Sequence, residues 1–392
     1  MEGASVFITF CALSEAKGII KIMNEKRLVN EFCKLVSIDS PSFHERKMAD
    51  TLKGYLEELG FEVHEDNAGE VYKSECGNLY GYLEGTMEGE PLLFAAHMDT
   101  VDPAIGKKAV LKEDGRIESD GTTVLGADDL SGIVAILEAI RSLKENNIPH
   151  RGIEVLFTIA EEPYLRGSKV FDYTKIKSKD AYVLDLSGPI GGAAHIAPSI
   201  IKLVIDVKGK ASHAGFAPEK GLNAIVLASK VISKLKLGRI DEETTANIGI
   251  ISGGLATNIV PESCKIQGEV RSTNHEKALE QAENIKNILI ESIKELGGNC
   301  EVDIIIGQYA YAVEEDHRVI KRYEKVCKDL SIPFILNKTF GGSDNNNFFH
   351  HGITGIVIAC AMNQVHSCNE YTSVQDLMKI TSIVENLMTS KE

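Results

Sequence analysis

Two histidines and a set of carboxylates fall where apolar runs of this sequence stop. The run Pro91-Leu92-Leu93-Phe94-Ala95-Ala96 ends in His97-Met98-Asp99-Thr100. Residues 153–160 end in Glu161-Glu162, residues 181–184 in Asp185, and residues 355–361 lead into a short loop holding His366. Gly126-Ala127-Asp128-Asp129 precedes a helix-like stretch at 133–143. Imidazole nitrogen and carboxylate oxygen are ligands for zinc, and a catalytic zinc keeps one position open. Two such ions about 3.5–4 Å apart share a carboxylate and a water. The residues divide accordingly: His97 with Asp185, Glu162 with His366, and Asp128 between the two ions. Asp99 is placed to accept the other ring N–H of His97 and fix its tautomer. Glu161 adjoins a ligand and is placed to take a proton from the bridging water. Two Zn2+ per chain are expected, although sites of this kind also accept Co2+ or Mn2+. Each residue alone has a plainer reading, as a loop histidine, a solvated Glu pair or an N-cap. Five of them on five separate strand ends are hard to credit to chance.

These strands read as apolar on both faces, as central strands covered by helices do. In such sheets ligands gather outside the carboxyl ends of the strands. Helical spacing runs through 24–37 and 45–59, with short strands at 61–64 and 78–83. A stretch of different character follows Asp185. Ile201, Leu203, Ile205 and Val207 share one face of a strand that begins the order β-α-β-β-α-β, a ferredoxin-like pattern. The expected fold is therefore α/β. A mixed, mostly parallel sheet with helices on both faces carries an inserted ferredoxin-like lid. The expected division is 23–192 and 309–392 for the catalytic part and 193–308 for the insert, whose exposed sheet edge suits a homodimer.

Composition narrows the partners. With 392 residues, two domains are the expectation. A formal charge of −15 leaves no basic stripe for nucleic acid. No apolar run approaches the roughly 20 residues that cross a bilayer. The eight cysteines form no Cys-x-x-Cys pair, which fits buried thiols in a reducing, cytoplasmic setting. Residues 1–22 include an apolar stretch but lack a basic flank, so they read as an appended segment rather than a secretion signal.

The motifs His97-Met98-Asp99-Thr100, Gly126-Ala127-Asp128-Asp129, Ala160-Glu161-Glu162, Asp185 and Val365-His366-Ser367-Cys368-Asn369-Glu370 together resemble the dinuclear-zinc peptidases. That family includes tripeptidase T, bacterial carboxypeptidase G, aminoacylase and succinyl-diaminopimelate desuccinylase. Gly342-Ser343-Asp344-Asn345-Asn346-Asn347 is most similar to the tripeptidase-T-like branch. The resemblance implies the ligand assignment already given, Glu161 as general base then acid, and a cis peptide after Asp128. It also implies roles in the insert. Lys210-Ala211-Ser212-His213-Ala214-Gly215 resembles the lid motif whose histidine stabilises the oxyanion, in several members from a partner subunit. Asn258 and Arg271 resemble residues that bind the substrate carbonyl and carboxylate. Gly342 and Ser343 lie in a turn whose N–H groups suit the same carboxylate. One departure is Leu130, where many relatives carry lysine. The expected activity is zinc-dependent exopeptidase action on small peptides, most like a tripeptide aminopeptidase. The alternative is a deacylase acting on N-acyl amino acids. A scaffold that has lost its metal is a third reading, against which the intact ligand set argues.

Overall fold

The apolar runs form the middle of a nine-stranded sheet. The computed structural model describes residues 23–391, so the segment 1–22 read as appended lies outside the described residues. Four neighbouring strands, Ile153–Thr158, Leu92–His97, Asp180–Leu186 and Thr354–Ala359, run parallel. Every residue of the first two is buried, so both faces of the pleat are covered. The flanks are antiparallel: Leu79–Leu83 with Glu62–Glu65 on one side, Gly192–Ala197 with Tyr311–Ala312 on the other. Strand Ile335–Lys338 also runs parallel, beside Gly192–Ala197, so the sheet is mixed, as the sequence reading expected. The outermost strand, Glu62–Glu65, is largely exposed, a position that antiparallel pairing tolerates and parallel pairing rarely does.

Helix Ala127–Glu145 explains how Asp128 reaches the strand ends. Its residues from Ala127 to Ile140 are all buried, as a helix apolar nearly all round must be. It packs on strands Leu92–His97 and Asp180–Leu186, and on helices Glu25–Val36 and Val374–Met388. Its first turn therefore opens beside His97 and Asp185.

A second apolar core lies in a separate five-stranded antiparallel sheet. The order is Gly238–Arg239, Thr244–Gly253, Ser263–Ser272, Ser199–Lys208, Asn299–Gln308. Ile201, Leu203, Ile205 and Val207 are all fully buried, the face their alternation predicted. Helices Ala224–Ile232 and His275–Glu295 pack on this sheet. Residues 193–197 were expected in this unit. They lie in strand Gly192–Ala197 of the large sheet instead, because Ala193 and Ala194 pair with Ile358 and Val357. The chain passes between the two sheets at Pro198 and again at residues 309–310.

The sequence reading missed a third, three-stranded sheet: Ala109–Leu111, Arg116–Ser119 and Tyr371–Ser373. It anchors the chain immediately after the His366 loop.

Candidate metal centre

His97 closes its strand with the ring 2 % exposed. Its Nδ1–H donates to the Asp99 carbonyl oxygen at 2.9 Å, which leaves Nε2 facing Asp128 Oδ1 at 3.1 Å. The other carboxylate oxygen of Asp128 lies 3.2 Å from His366 Nε2. That same nitrogen is 3.1 Å from Glu162 Oε1. Asp128 thus stands between two imidazoles, one oxygen to each. Potential ligand atoms of His97, Asp128 and Glu162 lie within 4.8 Å of one another, as do those of His97, Glu161 and Asp185. The peptide between Asp128 and Asp129 is cis.

Asp99 accepts the other ring N–H of His97 through its main chain, and its carboxylate does a further job. The ring N–H is taken by its backbone carbonyl, while its carboxylate is farther away, at 3.4 Å. The carboxylate instead accepts the backbone N–H of Glu161 at 2.9 Å and of Glu162 at 3.3 Å, and the Ser42 hydroxyl at 2.7 Å. A second carboxylate, Glu45, accepts the Ala160 N–H at 2.9 Å. The Glu161-Glu162 turn needs both clamps, because Ala160, Tyr164 and Leu165 all take positive φ, which side chains resist. Asp344 accepts hydrogen bonds from Thr158 and Ser168, which flank the same turn.

The loop before Asp128 is held from the far end of the chain. Glu370 accepts the N–H groups of Leu125 at 2.8 Å, Gly126 at 2.7 Å and Asp128 at 2.9 Å. Gly126 has φ +78°, and a Cβ there would sit 2.9 Å from the Thr100 side chain, so only glycine fits. Leu130 is buried beside it, and Lys107 passes on the other side to donate to Thr100 at 3.0 Å. Sequence reasoning assigned no role to Ser42, Glu45, Asp344 or Glu370. Of these, Glu370 and Asp344 carried a signal, their places in the motif with His366 and in the run that begins at Gly342.

Charge in the pocket is unbalanced. Burial opposes a charged His97, yet hydrogen bonds with Asp128 and Asp99 hold its pKa well above the ordinary imidazole value. Hydrogen bonds to Asp128 and Glu162 push His366 up to about 10. Burial, and then Asp185, drive Glu161 well above the usual carboxylate range. Burial and then Asp128 do the same to Asp185. Asp128 is also buried, but His366 and His97 pull it down. Several buried carboxylates with two imidazoles are the donor set of a divalent-cation site.

The remaining expected residues lie in two groups away from this cluster. His213 and Asn258 come together on the small unit, where Ser212–His213 pairs with Ile259–Val260 and the Ala214 N–H reaches the Asn258 carbonyl. His213 is exposed. Its Nδ1 accepts the N–H groups of Gly215 and Phe216, so the free Nε2 carries the proton and points outward as a donor. Arg271 is held by Glu269 at 2.7 Å and by the Phe340 carbonyl at 2.7 Å. That places it beside the turn of Gly342 and Ser343. The turn offers less than expected, since the Gly341 N–H is bound to Thr339 and the Ser343 N–H to Asn346.

Comparison with known proteins gives this arrangement a lineage. The family described as peptidase family M28 matches residues 78–197, and the peptidase dimerisation domain of the M20 peptidases matches residues 198–296. The chain is 40 % identical to the uncharacterised protein YqjE of Bacillus subtilis, over 93 % of this chain and 98 % of that one. The structure of aminopeptidase PepT from Bacillus cereus is 39 % identical, superposes with a TM-score of 0.86, and covers 94 % of this chain and 98 % of its own. A tripeptidase structure from Staphylococcus aureus is 34 % identical with a TM-score of 0.90, over 94 % and 99 %. The chain belongs to the M20 family of dinuclear zinc peptidases, in its tripeptidase-T-like branch.

Proposed function

We propose that this metallopeptidase releases the N-terminal residue of small peptides, tripeptides above all, using two zinc ions held by His97, Asp128, Glu162, Asp185 and His366. The observation that carries the reading is Asp128, whose two oxygens face two histidines while Glu161 lies buried beside the same cluster. When bound, the cations supply an activated water and positive charge for a developing oxyanion.

The chain's own residues do the rest. Glu161 accepts the proton of the attacking water and returns it to the leaving amine. Its burial, which favours the protonated form, suits the second step. Asp99 and Glu45 fix the turn that aims Glu161. The outward Nε2–H of His213 stabilises the oxyanion, a contribution of about 10²–10³ per donor. Asn258 beside it binds the substrate carbonyl. Arg271, with Gly342 and Ser343 nearby, takes the peptide carboxylate by exchanging its bond to Phe340. Reaching the centre requires the small unit to close as a lid, or the same groups to come from a second copy.

We assign the catalytic part to residues 23–197 and 309–392, and the lid, which also makes the homodimer, to 198–308, with its first hinge at Pro198. A cytoplasmic location accords with seven free cysteines among the described residues, where no helix is long and apolar enough to cross a membrane. The test is a panel of dipeptides, tripeptides, tetrapeptides and N-acetyl amino acids on zinc-loaded protein. Tripeptides should turn over fastest, with the N-terminal residue released. Preference for N-acetyl amino acids would instead identify a deacylase.

A further inference from the structure

Residues 340–346 touch both units of the molecule. On the lid side, Arg271 donates to the Phe340 carbonyl and the Arg239 guanidinium lies 4.9 Å above the Phe340 ring. Gly342 has no side chain because Gln308 fills the space; a Cβ would lie 1.9 Å from its Oε1. Gln308 in turn donates to the Pro198 carbonyl at 2.9 Å. Asn346, 1 % exposed, is the centre of this arrangement. Its amide nitrogen donates to the Tyr309 carbonyl at 2.7 Å and the Pro198 carbonyl at 3.3 Å, while its oxygen accepts the Ser343 N–H at 3.1 Å.

Pro198 and Tyr309 are where the chain passes between the two sheets, so a single buried amide ties both crossings together. Two residues earlier, Asp344 holds Thr158 and Ser168, which flank the Glu161-Glu162 turn. Asn347 adds a bond to Ser168 at 2.8 Å. The bonds to Phe340 sit among partly exposed groups and can exchange with water or substrate. Those of Asn346 come from an amide that is itself buried, two of the three in fully buried surroundings, where an unmet donor is costly, so they persist as the lid moves.

We propose that Asn346 is a positioning residue for the reaction. It pins the pivot of the lid to the same loop that buttresses the general-base turn, so that a closing lid presents its donors in fixed register with Glu161. The proposal rests on the lid closure inferred above.

Asn346→Ala tests it, with Asn346→Gln as the variant that keeps the donor and Asn346→Ser in reserve should the alanine variant fail to fold. Expected for Asn346→Ala is wild-type metal content with kcat on a tripeptide such as Leu-Gly-Gly reduced roughly 10- to 100-fold, the scale of about 1 Å of misplacement. Amide hydrogen exchange should quicken at both crossings, residues 196–200 and 308–311, and at residues 158–168. Asn346→Gln should recover most of both effects. A kcat within twofold of wild type, or faster exchange confined to residues 341–347, would overturn the proposal. The exchange measurement needs no turnover, so it judges the pivot even if the wild-type protein cleaves no tripeptide, an outcome that would sink only the substrate assignment.

Discussion

Glu161 separates metal binding from chemistry. Glu161→Gln keeps the size of the side chain and removes its basicity. The variant should hold its metal, measured by elemental analysis, and lose about 10²–10⁴ in kcat. Near-normal turnover would remove the general-base role. The histidines make a second prediction. In the metal-free protein His366 titrates at about 10, so at neutral pH it carries a proton that a cation must displace. Metal binding should therefore release protons, and affinity should rise as pH rises toward 10 and fall as pH falls. Calorimetry in buffers of differing ionisation enthalpy reads the released protons directly. The proposed ligands were legible as candidates because four of them follow apolar runs, where a polar side chain has few other reasons to be, and Asp128 opens a buried helix. The clamps were not. Glu45 acts on Ala160 from 115 residues away, and it does so through a backbone N–H, which leaves no mark on residue type.

At the scale of elements, the decisive contact joins the C-terminal loop to the start of helix Ala127–Glu145. Glu370 gathers three N–H groups there, and burial pushes its pKa up to about 7, so protonation in mild acid trades part of the charged bonding for relief of the buried charge. Hydrogen bonds to a charged group contribute about 1.5–3 kcal/mol each. Glu370→Ala should cost about 2–4 kcal/mol in urea denaturation, well below the sum of three full bonds because the carboxyl is half protonated near neutrality. It should also weaken metal affinity. Unchanged stability would show that the loop holds its shape without Glu370. The central strands and the alternating lid strands were readable from apolar period. The three-stranded sheet of Ala109–Leu111, Arg116–Ser119 and Tyr371–Ser373 was not, since two of its strands have three residues each and its pairing spans more than half the chain. The boundary near residue 193 was misplaced for a related reason. Apolar–polar alternation is absent there, and the small residues Ala193 and Ala194 mark a strand only through their partners Ile358 and Val357.

Among the open sheet edges of the described residues, one on the small unit is long and apolar. Strand Gly238–Arg239 pairs only with Thr245 and Ala246, leaving residues 247–253 without a strand on that side, with Ile250 57 % exposed. Unprotected edges invite a second strand, and a charged side chain blocks it. Ile250→Lys should shift the protein from dimer to monomer in sedimentation. If His213 serves the neighbouring active site, turnover should fall with it. A monomeric wild type of full activity would confine His213 to its own chain. In the proposed centre Asp128 is shared by two cations. Anomalous diffraction from zinc-loaded crystals tests it most directly. Two peaks about 3.5–4 Å apart, both within bonding distance of Asp128, are predicted. A single peak, or a pair that leaves Asp128 without a bond to one of them, would contradict it.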